Sequence, residues 1–399
     1  MPDSASVLRD FLKLSAQEQR DVLHALAASG VDVKRLASRA TALESYDTRR
    51  FIEGLHCPHC DSQLVVRNGK QADGTQRYRC RACGKTFQAS TSTVLGSRLK
   101  KHVNALRKYV HCMCLELPIR RTAEECGISI PTAFAWRHRI LDTLAKTLEN
   151  ALLQGVIEYD ETFFALSFKG HRHMQTAVEG GIPLPSHQRG GAYIRKGIGL
   201  RQVCVPIAVS RNGGFVGKVS NLGTPSGQDA LNVVGGHCAD GSTLCSDGGR
   251  PAQRVASAEG LQLVRLTGGK QTRGPYNIQS VNAFHSGLKG MVNSHFKGVT
   301  TKYLNNYVVW YGFLHAAGEA RRRDLEAMLF EIALTATCPT STRDVRRRDS
   351  VPVLSESQKG LMELLLIELA QAEYKDRMEA LRRLQKRGGL TDVSDDVPF

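Results

Sequence analysis

The sequence predicts a multidomain chain: a small cysteine-stapled β ribbon, a helix-turn-helix, an α/β domain with a mixed sheet flanked by helices, and a helical C-terminal extension. Three observations predict it. Two C-x2-C pairs, Cys57-Pro-His-Cys60 and Cys80-Arg-Ala-Cys83, enclose 19 residues with strand-like alternation. The stretch RRTAEECGISIPTAFAWRHRIL sets Gly127, Ser129 and Pro131 at the stop, cap and first-turn positions of two successive helices. From Val156 the pattern changes to strand, strand, strand, helix, strand, helix, an order that builds one sheet with helices on its faces. The expected boundaries are 1–50 for a helical segment, 51–95 for the ribbon, 96–150 for the helix-turn-helix, 151–338 for the α/β domain and 339–399 for a helical tail.

Length and charge bound the partners. With 399 residues and 41% apolar content, the chain can furnish two or three cores, and disorder is not the expectation. Lysine and arginine outnumber aspartate and glutamate 54 to 38, a formal charge of +16. A polyanion is the expected partner, the alternative being a basic protein whose charge only keeps it soluble. Eleven cysteines make an odd count, and the opening MPDSASVLRDFLKLS lacks the basic-then-apolar layout of a signal peptide. No apolar run approaches the roughly 18 residues that a membrane span needs. A reducing cytoplasm is expected, with clustered cysteines read as metal ligands before disulfides.

Residues 1–50 read as short helices, with Ser15-Ala-Gln-Glu18 as a capping box and Val22, Leu23 and Leu26 at helical spacing up to Gly30. Nearly balanced charge marks a docking element without chemistry. In the ribbon, each C-x2-C pair places two thiolates on a tight knuckle, and Cys57, Cys60, Cys80 and Cys83 together complete a tetrahedral zinc shell. No coordination position stays open, so this metal is expected to be structural. QLVVRNGKQADGTQRYRC reads as a hairpin turning at Asp73-Gly74. His56 and His59 flank one knuckle as substitute ligands that four cysteines make unnecessary. Arg67, Lys70, Arg77, Arg79, Arg81 and Lys85 make the ribbon basic, which suits phosphate contact and equally a solvated surface.

From Leu99 the spacing becomes helical, with Leu99, Val103, Leu106, Val110 and Met113 on one side and Lys100, Lys101, Arg107 and Lys108 on the other. The two helices around Gly127 and Ser129 follow. In this layout the second helix offers Thr132, Arg137, His138 and Arg139 to a DNA groove and buries Trp136 and Ile140. Many three-helix bundles share that punctuation, and its place after a basic ribbon tips the reading toward DNA.

In the α/β region, GVIEYDET contains a strand-like run ending in Asp160, and residues 169–201 form a basic loop. VCVPIAVSR and FVGKVSN are strands joined at Asn212-Gly213-Gly214. SGQDALNVVGG is a short helix, STLCSD a strand ending in Asp247, and VASAEGLQLVRLT a helix-to-strand step. Residues 280–310 read as a long helix. That order sets Asp160 and Asp247 on neighbouring strands with the last helix packed across them. On that helix Asn282, His285 and Lys289 are three and four apart, so they stack on one face; Asn282 and Lys289 lie only about 20° out of line. A solvated polar stripe is the bland alternative. With the two aspartates, however, two carboxylates and an amide converge where a hard divalent cation would sit. Asp240, also before glycine but after a less apolar run, is the runner-up for the second acid.

Tyr303, Leu304, Tyr307, Val308, Trp310, Tyr311 and Leu314 read as core, with base-stacking as the sharper alternative. Arg321, Arg322 and Arg323 beside Asp324 and Glu326 read as a solvated face of a continuing helix. A polar linker, 340–350, leads to a leucine-bearing helical run, 356–387, that docks on the same chain or on a partner.

Taken together, CPHC and CRACGKTF, the helix-turn-helix, YDET, SDGG, VNAFHSGLK and KGVTTKYLNNYVVW resemble a bacterial insertion-sequence transposase of the zinc-ribbon group, over roughly residues 50–315. The resemblance implies an RNase H-like catalytic domain with an Asp, Asp, Glu or Asn trio and a lysine seven residues after the third member. Position by position these are Asp160, Asp247, Asn282 and Lys289, with Asp247 and Asn282 35 positions apart. The departure is the missing third carboxylate, since an amide oxygen ligates Mg2+ but adds no charge and is a poor base. Glu158, Glu161 and Glu259 are candidates to replace it, none in the helix-and-lysine context.

The resemblance further implies two Mg2+ or Mn2+ ions, Asp160 bridging both, Asp247 holding one and Asn282 completing the other's shell, with Lys289 and His285 on phosphate. Water would attack at the transposon end and the freed 3′-OH would attack target DNA. Double-stranded DNA is the implied partner, a homodimer or higher oligomer the form assembled on it, and the bacterial nucleoid its place. Competing readings are a DNA-binding regulator with an inert nuclease domain, which Asn282 favours, a nuclease without strand transfer, and a zinc-ribbon structural protein.

Overall fold

The computed structural model describes residues 46–52, 54–72, 74–96, 99–167, 169, 202–266, 272–315 and 322–349. The expected N-terminal helices, most of the basic loop and the tail run 356–387 lie outside them. The chain divides after Glu149 into two compact units, and Ala320–Val345 returns to the first.

In the first unit a short helix α1 (Tyr46–Arg50) precedes an antiparallel sheet of β1 (Val65–Lys70), β2 (Gln76–Cys80) and β3 (Thr86–Gln88). The expected hairpin is β1 and β2, with Gly74 at φ 80° in its turn, a conformation that a side chain resists. Strand β3 is an addition. Its one buried residue, Phe87, stacks on Tyr78 at 5.5 Å, and Phe51 meets Tyr78 edge-on at 5.6 Å. With Cys57 and Cys80 these rings make a very small core, too small to hold the ribbon without a further staple.

Three helices follow, α2 (Leu99–Cys114), α3 (Ile119–Cys126) and α4 (Ile130–Thr147). Gly127 closes α3 at φ 61°, the Ser129 hydroxyl accepts from the N–H of Thr132, and Pro131 sits in the first turn of α4. Leu106, Tyr109, Met113, Trp136, Ile140 and Leu144 fill the space between them. The returning helix Arg322–Thr335 packs on α2 and α4. The block expected at 151–338 therefore gives its last helix to the first unit. The expected linker, moreover, holds the short helix Thr342–Arg347, where Ser341 and Asp344 cap each other reciprocally.

The second unit is a six-stranded mixed sheet in the spatial order Phe215–Gly217, Gln202–Ser210, Val156–Ala165, Thr243–Ser246, Gln262–Arg265, with Asn221–Leu222 also pairing with Gln202–Ser210. Strand β4 (Val156–Ala165) pairs antiparallel with β5 (Gln202–Ser210), which pairs with β6 (Phe215–Gly217) and β7 (Asn221–Leu222). Helix α5 (Gly227–Val234) leads to β8 (Thr243–Ser246), which lies parallel to β4; α6 (Arg250–Ala258) then crosses to β9 (Gln262–Arg265) beside it. A two-stranded hairpin, β10 (Thr272–Arg273) and β11 (Tyr276–Asn277), opens into α7 (Gln279–Lys289), and α8 (Leu304–His315) follows. Ile157, Tyr159, Ala208 and Leu244 pack against α5 and α6 on one face. On the other, Phe284 of α7 stacks on Phe215 at 5.6 Å and meets Tyr311 of α8 edge-on at 4.9 Å. That contact requires Gly287, since a Cβ there would lie 1.8 Å from the Tyr311 hydroxyl.

Two expectations are corrected here. Asp160 does not end its strand: β4 continues to Ala165 because β5 pairs with it along that whole length. Residues 280–310 are not one helix. After Lys289 come a π-helical turn (Gly290–His295), left-handed Lys297 and Gly298 at φ 56° and 88°, and a short 3-10 turn (Thr301–Tyr303) before α8. The apolar spacing resumes beyond that break and imitates a continuous helix.

Candidate active site and metal centre

The parallel register of β4 and β8 organises the site. Val156 pairs with Thr243, Ile157 with Leu244 and Glu158 with Cys245. Asp160 lies two residues further along β4, and Asp247 is the residue just past the end of β8, which stops at Ser246 rather than at Asp247 as expected; the charge of Asp247 still bears on Asp160. Alternation gives Glu158 and Asp160 one face of β4, the face toward α7, and Tyr159 the other. At the end of β8 the chain turns away through Gly248 at φ 88°, and the Asp247 carboxylate accepts from the Gly249 N–H at 3.0 Å. Asp240, the runner-up, is exposed in the turn before β8, at the opposite end of that strand.

Helix α7 lies across β4 with His285 against Asp160, Nδ1 standing 3.7 Å from Oδ2. Burial pushes the Asp160 carboxyl up to about 6; the Glu161 N–H opposes that, the charge of Asp247 adds to it, and Lys289 opposes it again. Glu161 rises to about 7, chiefly by burial, against a hydrogen bond from the Tyr159 hydroxyl at 2.7 Å and with the charges of Asp160 and Asp247 behind it. His285 falls to about 4 through burial and then Lys289, so at neutral pH it is uncharged and its approach to Asp160 is no ion pair. Asn282 is half-buried and Lys289 exposed on the same helix.

The structure thus brings Asp247, His285 and Lys289 within electrostatic reach of Asp160, with Asn282 one turn before His285. His285 is corrected from a phosphate contact: it is only 7% exposed, because its position on α7 turns it onto β4 rather than outward. Its Nε2 has no hydrogen-bond partner among the described residues. An all-oxygen set of partly buried, mutually repelling carboxylates fits a hard divalent cation, which would relieve the repulsion that burial amplifies.

Sequence reasoning missed what holds α7 in place. Glu158, fully buried on the Asp160 face, bonds to the first turn of α7 and to Arg211, just past β5. Its position two residues before Asp160 was the signal available. Glu259 bonds the Gly236 N–H at the end of α6 and is not part of this cluster.

The second centre lies in the ribbon. The sulfurs of Cys57, Cys60, Cys80 and Cys83 all lie within 4.8 Å of one another. Cys57 to Cys83 is 3.7 Å and Cys60 to Cys80 is 3.6 Å, matching the edge of about 3.8 Å that a tetrahedron with 2.3 Å zinc–sulfur bonds requires. The Cys83 N–H, first among the causes, draws the Cys80 thiol down to about 6. Neither His56 nor His59 joins the set: His56 Nδ1 approaches the Asp61 carbonyl, and His59 lies edge-on to Phe87. Among the described residues no other group of three or more such side chains is as closely gathered.

The groove-facing residues expected on α4 are also corrected. Arg137 and His138 are buried, at 0% and 1% exposure. The Arg137 guanidinium donates to the Leu117 carbonyl at 2.8 Å and the Thr122 hydroxyl at 3.1 Å, pinning α3 to α4, while His138 packs on Phe134. Arg139 is half-buried and donates to the carbonyls of Thr93, Val94 and Thr340. Thr132 is half-buried and shares a 2.8 Å hydrogen bond with the Ser129 hydroxyl at the start of α4. The returning helix covers a side of α4 that local spacing left open. Exposed cations stand instead on the ribbon, where Arg77 and Arg79 alternate with buried Tyr78 and Cys80 on β2, and Arg67, Lys70, Arg81 and Lys85 are exposed around them.

Fold and sites define a zinc-ribbon protein with a helical bundle and a separate mixed α/β unit holding an acidic cluster. The family of the InsA N-terminal domain, a zinc ribbon, matches residues 54–84. The chain is similar to an uncharacterized protein in transposable element ISH50 of Halobacterium salinarum, 28% identical over 153 residues, which are 38% of this chain and 50% of that protein. It is also similar to the insertion element iso-IS1N protein InsA of Shigella dysenteriae, 47% identical over 34 residues, 8% of this chain and 38% of that one. The chain therefore spans half the length of the first relative and less of the second. No described helix is long and apolar enough to cross a membrane.

Proposed function

We propose that this chain is a DNA transposase that binds the terminal inverted repeats of an insertion sequence and carries out metal-dependent cleavage and strand transfer in an RNase H-like unit. The observation that supports the reading is that Asp160 on β4 feels the charges of Asp247, just past the end of the adjacent parallel β8, and of Lys289 on α7, with His285 of α7 3.7 Å from it. Similarity to transposable-element and insertion-element proteins supports the context.

Asp160, Asp247 and the Asn282 carboxamide would hold Mg2+ or Mn2+, which when bound activates the attacking oxygen and steadies the leaving one. Asp160, whose carboxyl rises to about 6, would serve as a ligand in its ionised form. Lys289, exposed at the rim, neutralises a phosphate oxygen beside the scissile bond, and uncharged His285 backs Asp160 without competing for the cation's charge. Exposed arginines of the ribbon grip the DNA backbone. Joining two ends calls for at least two protomers on the DNA, acting in the cytoplasm on chromosomal DNA.

The match of residues 54–84 to the InsA N-terminal domain, together with the uncharged Asn282, favours a second reading, a DNA-binding regulator with an inert nuclease unit. Incubating the protein with a pre-cleaved end, a target plasmid and Mg2+ or Mn2+ separates the two. Transposase predicts joined product that falls to background in Asp160→Ala and Asp247→Ala. Intact end binding without any metal-dependent product leaves the regulator.

A further inference from the structure

We infer that Glu158 is a positioning residue: from the strand that bears Asp160 its carboxylate caps α7, and so fixes how Asn282, His285 and Lys289 stand over that aspartate. This rests on the metal-nuclease reading above. Glu158 is wholly buried, a costly place for a carboxylate unless it is paired and hydrogen-bonded. Its hydrogen bonds all lead to α7 or to the approach to it. Oε2 accepts from the N–H groups of Ser280 at 2.6 Å and Val281 at 3.1 Å, and Oε1 from the Ser280 hydroxyl at 3.1 Å and Arg211 Nε at 2.8 Å. Arg211 in turn donates to the carbonyls of Pro275 at 2.7 Å and Asn277 at 3.3 Å, in the hairpin that leads into the helix.

The need for such a cap is local and its source is not. Ile278, at the N-cap, offers no side-chain acceptor; the Gln279 N–H is taken by Asn277 Oδ1 nearby, but those of Ser280 and Val281 take theirs from a residue 122 and 123 positions away. The negative charge also suits the positive end of the helix dipole. Because Glu158 and Asp160 share a face of β4, cap and ligand move together as one strand. Asn282 follows Val281 directly, and His285 comes one turn later. Both Glu158 oxygens are committed, which removes Glu158 as a replacement third acid.

The test is Mn2+ titration of the full-length, zinc-loaded protein, followed by electron paramagnetic resonance, in wild type, Glu158→Gln, Asn282→Ala and the double variant. Glu158→Gln should bind Mn2+ about 10- to 100-fold more weakly than wild type. The double variant should bind no more weakly than Asn282→Ala alone, because the ligand that the cap places is already gone. Wild-type affinity in Glu158→Gln, or a loss repeated in full in the Asn282→Ala background, overturns the positioning role. Should Glu158→Gln fail to fold, Arg211→Gln, at a side chain 28% exposed, carries the same comparison. Hydrogen exchange over residues 279–289 should quicken in either variant with α5 and α6 unchanged; unaltered exchange there overturns the cap itself. Failure of the nuclease reading looks different, because the wild type would then take up no Mn2+, and the positioning role would fall with the site.

Discussion

Burial favours the neutral form of Asp160, whereas the proposed role as a cation ligand needs its charged one. In the unfolded chain the proton leaves near 3.8, while in the folded chain it stays until about 6. A carboxyl raised in this way contributes stability that is complete below the unfolded value and lost as pH rises through the folded one. Asp160→Asn is neutral throughout and escapes that loss. Without added divalent cation it should match the wild type near pH 4 and exceed it by on the order of 2 kcal/mol at pH 8. His285 does not confuse the comparison, because burial and Lys289 set its titration in both proteins. Urea unfolding at the two pH values checks this, and a variant no more stable at pH 8 would show that Asp160 carries no such penalty. The approach of Asp160 to Asp247 was legible because an apolar, strand-forming run precedes each of them. Arg137 was misread because charge suggests exposure, whereas a guanidinium satisfied by the Leu117 carbonyl and the Thr122 hydroxyl can lie wholly inside.

At the scale of elements, sequence was informative wherever the controlling interaction is local. Gly127, Ser129 and Pro131 set the turn between α3 and α4 through their own backbone and capping preferences, and the cysteine knuckles set the ribbon. It was silent where control comes from a distance. The cap of α7 arrives from β4, the cover of α4 from the returning helix, and β3 is held by the few rings of the ribbon core. That small core has a consequence for Cys57→Ser and Cys80→Ser. Each should release zinc, melt the ribbon and abolish binding to transposon-end DNA, while the unfolding transition of the α/β unit stays where it is. Zinc content by absorption spectroscopy, calorimetry and a gel-shift assay read the three effects. End binding retained by zinc-free protein would break the division of labour between the units.

For the molecule as a whole, an excess of +16 predicts attraction to DNA but does not say which cations meet phosphate, and burial decides that. A cation contributes to counterion release only if it reaches the backbone, and each phosphate it neutralises adds about 0.9 to the slope of log affinity against log salt. Arg77 and Arg79 are exposed on one face of β2, whereas Arg137 is buried and already bonded. Replacing both ribbon arginines by glutamine should therefore lower the slope by about 1.8 without moving the unfolding midpoint. Arg137→Gln should do the reverse, lowering stability by roughly 1–3 kcal/mol through the buried carbonyl it abandons and leaving the slope as it was. Fluorescence anisotropy on labelled end DNA across a salt series, with parallel urea melts, measures both quantities. An unchanged slope in the ribbon variant beside a lowered one in Arg137→Gln would place the DNA contact on α4 after all, and would require the bundle to open when DNA binds.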